Sequence, residues 1–264
     1  MYQIFRGSSG SSVHNAQLPY DWKGSNLMVV LWIMIALAAL IAAYFLFLTV
    51  CGLFVDVNKE YDRNSPFYRF LINSATAMAM VLVRIRVEVR GMDKLPEGRF
   101  LFISNHSSKF DPILCWYIFR RQDLAFISKP ENFKVPFFGK IIRRCCFMPI
   151  DRENPRNAIK TINRAAELLK KDEVSVAVYP EGTRNYGKAL LPFHNGVLKI
   201  AQKAQVPLVI AAVRGTEDIH KNYPLRRSRV EIEILDVLDA EQVKKMRTSE
   251  MGDLACALIR DALA

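Results

Sequence analysis

The sequence predicts an α/β protein with a mostly parallel central sheet flanked by helices, preceded by an N-terminal transmembrane helix and an interfacial helix. Three observations lead to this prediction. A run without any charged residue extends from Leu27 to Val55. After residue 84, short apolar runs typical of strands alternate with segments of helical periodicity. Strands separated by helices usually pair in parallel, with helices covering both faces of the sheet.

The composition excludes several classes of protein. The 264 residues contain 37 Lys and Arg against 26 Asp and Glu, a net charge of +11, and 51% of them are hydrophobic. Such a chain is neither disordered nor collagen-like nor a coiled coil. A positive surplus suits nucleic acid, an anionic membrane surface or phosphorylated substrates, and the total alone does not choose among them.

Residues 1–26 are predicted to form a flexible N-terminal segment, since Gly7–Ser12 reads GSSGSS. Residues 27–55 are predicted to form a transmembrane helix of roughly 40 Å, compared with about 30 Å of hydrocarbon in a bilayer. Ser25 and Asn26 offer N-cap chemistry before it. The run is too long for a cleaved signal peptide and too uniformly apolar for a core helix.

Basic residues after the span predict its orientation. Lys59, Arg63 and Arg69 follow closely, so the positive-inside rule places the bulk of the chain in the cytoplasm, held by a single-pass anchor in the cell membrane. Residues 56–83 are predicted to lie at the membrane interface. Within them, Pro66–Val83 is either a short second span or an amphipathic interfacial helix, and the aromatic and basic residues at its start favour the interfacial helix.

Residues 84–264 are predicted to form one α/β domain. Arg84–Gly91 alternates as a half-exposed strand does, and Val230–Leu235 alternates in a way that we expect of an edge strand. Buried central strands are predicted for the continuous apolar runs Phe100–Ser104, Ala125–Ser128, Val174–Tyr179 and Pro207–Val213. Helices are predicted after the N-cap Asn154 and Pro155, and over Phe193–Ala204 and Asp239–Leu263.

The five cysteines do not predict a disulfide framework or a metal site. Their number is odd, they form no C-x-x-C pair, and Cys51 lies in the membrane run. Reduced thiols agree with a cytosolic domain.

The most informative segment is Phe102–Pro112, FISNHSSKFDP. His106 and Asp111 lie in the loop between a buried strand and the next helix, the place where open α/β sheets bind their ligands. A turn in this loop would bring the two side chains together, and a His held by a carboxylate is a competent base near neutral pH. Taken alone, the spacing is also compatible with a helix-capping Asp111 and an ordinary loop histidine.

Three more segments place charged or flexible residues after strands. YPEGTR supplies Gly182, which permits a close backbone approach, Arg184, which suits a phosphate, and Glu181, which accepts hydrogen bonds. Lys129 and Arg152 follow two other strands. Each residue alone is an ordinary strand-end charge, but together with His106 they predict a basic pocket for an anionic substrate.

Two rival functions are disfavoured. Gly182–Lys188 fits the nucleotide loop G-x-x-x-x-G-K, but Ala189 replaces the magnesium-binding hydroxyl and Pro192 spoils the helix start. No basic run with interleaved aromatic residues indicates nucleic acid. A more remote alternative to an enzyme is a non-catalytic basic module that is anchored in the membrane and binds anionic lipid or nucleic acid.

NHSSKFD, FMPIDR, YPEGTR and the VPLV run at Val206–Val209 resemble, in order and spacing, the four motifs of the glycerolipid acyltransferases. The chain is most similar to the bacterial 1-acyl-glycerol-3-phosphate acyltransferases, over roughly Arg84 to Val237. The segment Ser128–Gly139 also resembles the family segment whose lysine contacts phosphate. An ordered set of four motifs is far more specific than any single one.

The resemblance implies that residues 84–264 are an acyltransferase domain that makes phosphatidic acid for phospholipid synthesis. His106 would be the base and Asp111 would orient it; Lys129 and Arg184 would hold the substrate phosphate, and Arg152 is a weaker candidate. Glu181 and Thr183 would position the glycerol, with the Gly182 turn near the oxyanion. The implied partners are lysophosphatidic acid, anionic membrane lipids, and acyl-CoA or acyl carrier protein as the thioester donor. No metal or other cofactor is implied.

Two positions depart from the family pattern. Ile210-Ala211 stands where many members have a second proline, and His194 stands where a lysine often precedes glycine. These departures leave other acceptors open: glycerol-3-phosphate, another lysophospholipid or a lyso-aminolipid.

Overall fold

The computed structural model describes residues 22–152, 154–187 and 189–264. Most of the predicted flexible segment 1–26, with the Gly7–Ser12 run, lies outside the described residues. The chain divides into two compact units, one ending at Phe47 and the other spanning Leu48–Ala264.

The first helix, α1, spans Trp22–Leu53. Its stretch Asn26–Leu53 has a mean hydropathy of 2.7, and it is long and apolar enough to cross a membrane. The helix therefore suits a membrane anchor. The predicted N-cap at Ser25 and Asn26 is wrong, because the backbone is already helical from Trp22 and a cap acts only where the chain enters the helix.

The remaining elements of the described chain alternate as predicted. The helices are α2 Pro66–Leu82, α3 Phe110–Ile118, α4 Phe138–Arg144, α5 Pro155–Lys170, α6 Lys199–Ala204, α7 Ile219–Asn222, α8 Ala240–Lys245 and α9 Thr248–Leu263. The strands are β1 Ile85–Arg90, β2 Leu101–Ser104, β3 Ala125–Ser128, β4 Met148–Pro149, β5 Val176–Val178, β6 Leu208–Arg214 and β7 Ser228–Leu238.

The strands form one sheet in the order β1-β7-β6-β2-β5-β3-β4. Every pairing is parallel except that of β6 with β7, so the predicted mostly parallel sheet is confirmed. The strands β2 and β5 are buried along their whole length, as continuous apolar runs require when helices cover both faces of a sheet. Because β2, β3, β5 and β6 run in parallel, their carboxyl ends meet at one edge.

The prediction that Val230–Leu235 lies at an edge is wrong. The strand β7 lies between β1 and β6, and the outer strands are β1 and β4. Val230, Ile232 and Ile234 are buried while the residues between them are partly exposed. The alternation therefore reports a solvent-facing side of the sheet, whereas both hydrogen-bonding sides of β7 are occupied.

The predicted helix starts and lengths are partly confirmed. Asn154 caps α5, with its Oδ1 accepting from the backbone N–H groups of Arg156 at 3.0 Å and Asn157 at 3.4 Å, and Pro155 is the first helical residue. Asp239–Leu263 is two helices instead of one, because Met246 and Arg247 are extended.

The helix α2 is built into the second unit by one face. The buried Arg69 donates from Nη1 to the carbonyl of Leu124 at 2.8 Å and from Nη2 to that of Cys145 at 3.0 Å. Thr76 accepts a hydrogen bond from the indole N–H of Trp116 at 2.9 Å. The other face exposes apolar side chains, among them Phe67, Phe70 and Val81.

Candidate active site

A cavity of about 860 Å³ opens beside the carboxyl ends of β2, β3 and β5. Polar residues line its more exposed part: His106, Lys129, Arg152, Thr183 and Arg184. Buried apolar residues line its inner part: Trp116, Phe126, Ile142 and Phe147. One continuous cavity therefore offers cations at one end and a hydrocarbon-like surface at the other.

His106 and Asp111 are in direct contact. The imidazole Nδ1 lies 2.8 Å from Oδ2 of Asp111, whose side chain is fully buried. The loop turns back after β2, and α3 begins at Phe110, so Asp111 lies in the first helical turn instead of at the cap position. Its Oδ2 also accepts the backbone N–H groups of Ser107 at 2.7 Å and Ser108 at 2.8 Å. These bonds fix the loop that carries His106.

The contact with Asp111 determines which tautomer the neutral imidazole of His106 adopts. With Nδ1 donating to Asp111, a neutral ring keeps its free lone pair on Nε2. A ring held in this way accepts a proton at Nε2, and the adjacent carboxylate stabilises the resulting imidazolium. The geometry therefore supports general-base chemistry at the cavity.

The ring of His106 is also stacked on an aromatic side chain that sequence reasoning missed. The ring centroids of His106 and Tyr179 lie 4.1 Å apart, with 10° between the planes. Tyr179 in turn stacks on Phe126 at 5.5 Å. Tyr179 ends an apolar run and resembles ordinary core. The signal that would have identified it is its place directly before PEGTR.

Glu181 lies behind the cavity wall and is only 3% exposed. Its Oε1 accepts the backbone N–H of His106 at 2.8 Å. Its Oε2 accepts from the backbone N–H of Leu191 at 3.0 Å and the side-chain amide of Asn185 at 3.1 Å. The backbone N–H of Asn185 donates to the carbonyl of His106 at 2.7 Å. The carboxylate thus joins the His106 loop to the YPEGTR loop.

Gly182 forms a tight turn at the wall of the cavity. Its φ is +71°, a conformation that favours glycine, and its N–H donates to the carbonyl of Tyr179 at 3.0 Å. An added Cβ would lie 2.8 Å from Cδ2 of His194. The N–H expected near the oxyanion is therefore already engaged in the turn, and His194 lies on the same cavity wall.

The structure brings the predicted site residues together. Six of them line the cavity: His106, Lys129, Arg152, Gly182, Thr183 and Arg184. Asp111 and Glu181 lie behind the cavity wall, and their carboxylates form hydrogen bonds with the loop that carries His106. A further residue that sequence reasoning missed is the buried Thr216, whose hydroxyl donates to Oδ1 of Asp111. Over the described ranges, no group of three His, Cys, Asp or Glu residues is arranged to hold a metal ion.

The chain is similar in sequence to known acyltransferases. A family model described as Acyltransferase matches residues 86–214. The 1-acyl-sn-glycerol-3-phosphate acyltransferase of Haemophilus influenzae is 28% identical over 187 residues, which are 69% of this chain and 76% of that protein. The Escherichia coli enzyme of the same name is 28% identical over 184 residues, 69% of this chain and 75% of the relative.

A solved structure has the same fold. The crystal structure of the 1-acyl-sn-glycerophosphate (LPA) acyltransferase from Thermotoga maritima matches with a TM-score of 0.63 and 23% identity, over 91% of this chain and 95% of that chain. The eight sequence-predicted site residues lie inside the range matched by the family model, while Thr216 lies just beyond it.

Proposed function

Because the chain belongs to the acyltransferase family, we propose that it transfers a fatty acyl group from an acyl thioester to the free hydroxyl of 1-acyl-glycerol-3-phosphate. The product is phosphatidic acid. The observation that carries this proposal is the His106–Asp111 pair, placed in a cavity that has cations at one end and an apolar interior.

The His–Asp pair supplies the base. Nε2 of His106 takes the proton of the acceptor hydroxyl as its oxygen attacks the thioester carbonyl, and Asp111 stabilises the imidazolium that forms. The tetrahedral intermediate collapses with cleavage of the C–S bond, and the imidazolium returns the proton to the leaving thiolate. The new ester and a free thiol are the products, and the enzyme regains its starting state.

The cations and polar groups at the exposed end bind the acceptor. Lys129 and Arg184 hold the phosphate, with Arg152 as a further cation in the same cavity. Thr183 contacts the glycerol. Glu181 was expected at the glycerol too, but its oxygens accept three protein N–H groups, so its proposed role is to hold the His106 loop in place.

The buried part of the cavity receives hydrocarbon. Trp116, Phe126, Ile142 and Phe147 form an apolar lining that excludes water from an acyl chain. Either acyl-CoA or acyl carrier protein can present the thioester, since both deliver the same acyl group through a thiol carrier.

The proposed substrates are amphiphiles, so the second unit must work at a lipid surface. We place α1 across the cell membrane, with the catalytic domain on the cytoplasmic side because Lys and Arg follow the span. The exposed apolar face of α2 then lies in the interface, and surface cations attract anionic lipids.

The test is thiol release by detergent-solubilised full-length protein given lysophosphatidic acid and a long-chain acyl-CoA. We expect wild-type turnover into phosphatidic acid and background rates for His106→Ala. His220→Ala is the matched control, because His220 is exposed on α7 and should not affect turnover. Wild-type rates in His106→Ala would overturn the dyad mechanism.

The same assay separates the alternatives. Acyl-acyl carrier protein replaces acyl-CoA as the donor, and glycerol-3-phosphate, another lysophospholipid or a lyso-aminolipid replaces the acceptor. Turnover only with one of these other acceptors would overturn the proposed substrate but leave the reaction class intact. Lipid binding without turnover in every combination would favour the non-catalytic module.

A further inference from the structure

A short loop between α7 and β7 exposes large apolar side chains. Leu225 is 84% exposed and Tyr223 is 52% exposed. Val81 and Leu82, at the end of α2, are 77% and 50% exposed. Single exposed apolar residues are ordinary, but four of them on two adjoining segments indicate a contact surface.

Backbone and side-chain contacts join the loop to the end of α2. Arg84 donates from Nη1 to the carbonyl of Leu225 at 3.0 Å. The backbone N–H of Ser228 donates to the carbonyl of Arg84 at 3.3 Å, and Ile85 is aligned with Ser228 in the parallel β1–β7 pairing. The residues 81–84 and 223–227 therefore form one surface, here called the loop surface.

The segments that form the loop surface carry only positive charge, and Glu88, Glu217 and Asp218 lie just beyond them. The segments 81–87 and 221–229 contain no acidic residue. Their basic residues are all exposed: Arg84, Arg86, Lys221, Arg226, Arg227 and Arg229. Lys221 bonds Asp218 just outside the segment at 2.9 Å. Exposed aliphatic and aromatic side chains among basic residues are typical of segments that bind anionic lipid surfaces.

The loop surface lies at the same edge of the sheet as the candidate active site. The strands β2 and β6 are parallel, so β6 ends at the edge where the His106 loop begins. Because β7 is antiparallel to β6, it starts at that edge, where Arg214 is aligned with Glu231. β1 starts there too, since it is parallel to β7. A bilayer on the loop surface would thus face the edge of the sheet that carries the cavity.

We infer that the loop surface is a second membrane contact, which binds the headgroup region of an anionic bilayer and inserts Leu225. This inference rests on the proposed function, which places the protein at a membrane, and it adds the loop of residues 223–227 to the contacts proposed for α1 and α2. A bilayer suits the surface better than a protein partner, because α2 extends it with the exposed Phe67 and Phe70, which lie on the same side of the helix as Val81. Contact here brings a lipid acceptor to the cavity-bearing edge.

The experiment measures the depth of Leu225 in a bilayer. Full-length protein carrying Leu225→Cys and Cys256→Ser is labelled with an environment-sensitive fluorophore and reconstituted into vesicles of phosphatidylcholine and phosphatidylglycerol. Doxyl-labelled lipids quench only a fluorophore that reaches the acyl region. We expect a blue-shifted emission and at least twofold quenching. Cys256→Ser removes the one cysteine that is not buried.

The matched control is Glu97→Cys, an exposed residue in the turn before β2 and therefore at the opposite edge of the sheet. Its label should stay in water and escape quenching. Quenching at position 225 should weaken at least twofold in pure phosphatidylcholine or with Arg226→Gln and Arg227→Gln. A label at position 225 that is no more quenched than the control, in anionic vesicles, would overturn the inference.

This outcome is independent of turnover. In a His106→Ala background the label at Leu225 should be quenched to the same extent, because insertion needs no chemistry. Quenching with no acyl transfer in detergent would reject the proposed reaction and keep the loop contact. Acyl transfer without quenching would reject the loop contact and keep the proposed reaction.

Discussion

Thr216 donates its hydroxyl to Oδ1 of Asp111, so the segment after β6 supports the carboxylate that orients His106. Both side chains are fully buried. Together with the imidazole and two backbone N–H groups, the hydroxyl completes a set of four donors around one carboxylate. Hydrogen bonds of this kind stabilise the charged form of a buried acid and fix its direction.

Thr216→Val should lower kcat without changing KM for the acceptor. The valine keeps the volume but leaves the buried Oδ1 without that donor, which costs about 1–3 kcal/mol. We expect kcat to fall about tenfold or more, measured by thiol release with lysophosphatidic acid. Thr216→Ser keeps the hydroxyl and should restore most of the rate. Equal rates for the valine and serine variants would contradict a positioning role.

Tyr179 should act through its ring. Burial raises the pKa of the Tyr179 phenol well above its ordinary value of 10, so it stays protonated at neutral pH. Tyr179→Phe keeps the stack on His106 and should retain most of kcat, whereas Tyr179→Leu removes the stack and should lower kcat several-fold at similar KM. The measurement is the kcat and KM of both variants. A leucine variant as active as the phenylalanine variant would show that the stack does not orient the base.

Glu181→Gln should impair both folding and turnover. The two carboxylate oxygens of Glu181 accept hydrogen bonds from three N–H groups. In glutamine one of these oxygens becomes an NH2 group, so at least one of the three N–H groups would face another donor in a buried site. We expect a lower melting temperature and at least a tenfold loss of kcat. Glu241→Gln, on the surface of α8, is the matched control and should change neither. Retained activity would show that the loop junction is held without this carboxylate.

Gly252→Ala should destabilise the protein, although alanine normally stabilises a helix by about 1 kcal/mol relative to glycine. A Cβ at Gly252 in α9 would lie 2.0 Å from Oδ1 of Asn195, the residue after His194. We expect a lower urea midpoint for Gly252→Ala. Asn195→Ala combined with Gly252→Ala removes the clash and should recover stability; failure of this rescue would place the strain elsewhere.

The buried cysteines should be unreactive in the folded protein. Burial raises the pKa of Cys145 to about 12 and that of Cys146 to about 11, while the nearby Arg69 opposes both shifts. At pH 8, iodoacetamide should therefore modify Cys256 first, and guanidinium should expose the others; mass spectrometry of the peptides reads this out. Early labelling of Cys145 in the native state would contradict it.

The same shifts give a pH dependence of stability. A thiol of the unfolded chain ionises near pH 8.5, whereas the folded thiols stay neutral until about pH 11–12. The contribution of these two thiols to the free energy of unfolding is complete below pH 8.5, and it is lost as the pH rises from 8.5 toward 11–12. Cys145→Ala with Cys146→Ala should flatten the fall of the urea midpoint between pH 8.5 and 10.5. An unchanged slope would rule out these thiols as its cause.

Local pattern predicted much of the fold but not the long-range contacts. Continuous apolar runs identified β2, β3, β5 and β6, because strands that are buried on both faces consist almost entirely of apolar residues. The same reasoning placed His106, Lys129 and Arg184 after strands, where the parallel sheet gathers them. Thr216 meets Asp111 across 105 residues of sequence through the register of β6 beside β2, and no local pattern carries that information.

The misplaced edge strand has a related cause. Alternation reports whether one face of a strand meets solvent, whereas edge position depends on which strands hydrogen-bond beside it. β7 has both neighbours and one partly exposed face. The single helix predicted for Asp239–Leu263 failed for another reason: the break at Met246 has neither proline nor glycine to mark it.

The buried Arg69 has a consequence for how such proteins diversify. Its guanidinium bonds the carbonyls of Asp123, Leu124 and Cys145, so α2 completes the domain's own interior. Recombination that exchanged the N-terminal segments of relatives at a junction after Leu82 would discard these bonds and leave carbonyls unpaired. A junction before Pro66 would retain them. Variation of the exposed side of α2 is therefore expected to proceed by point substitutions there, not by replacement of the helix.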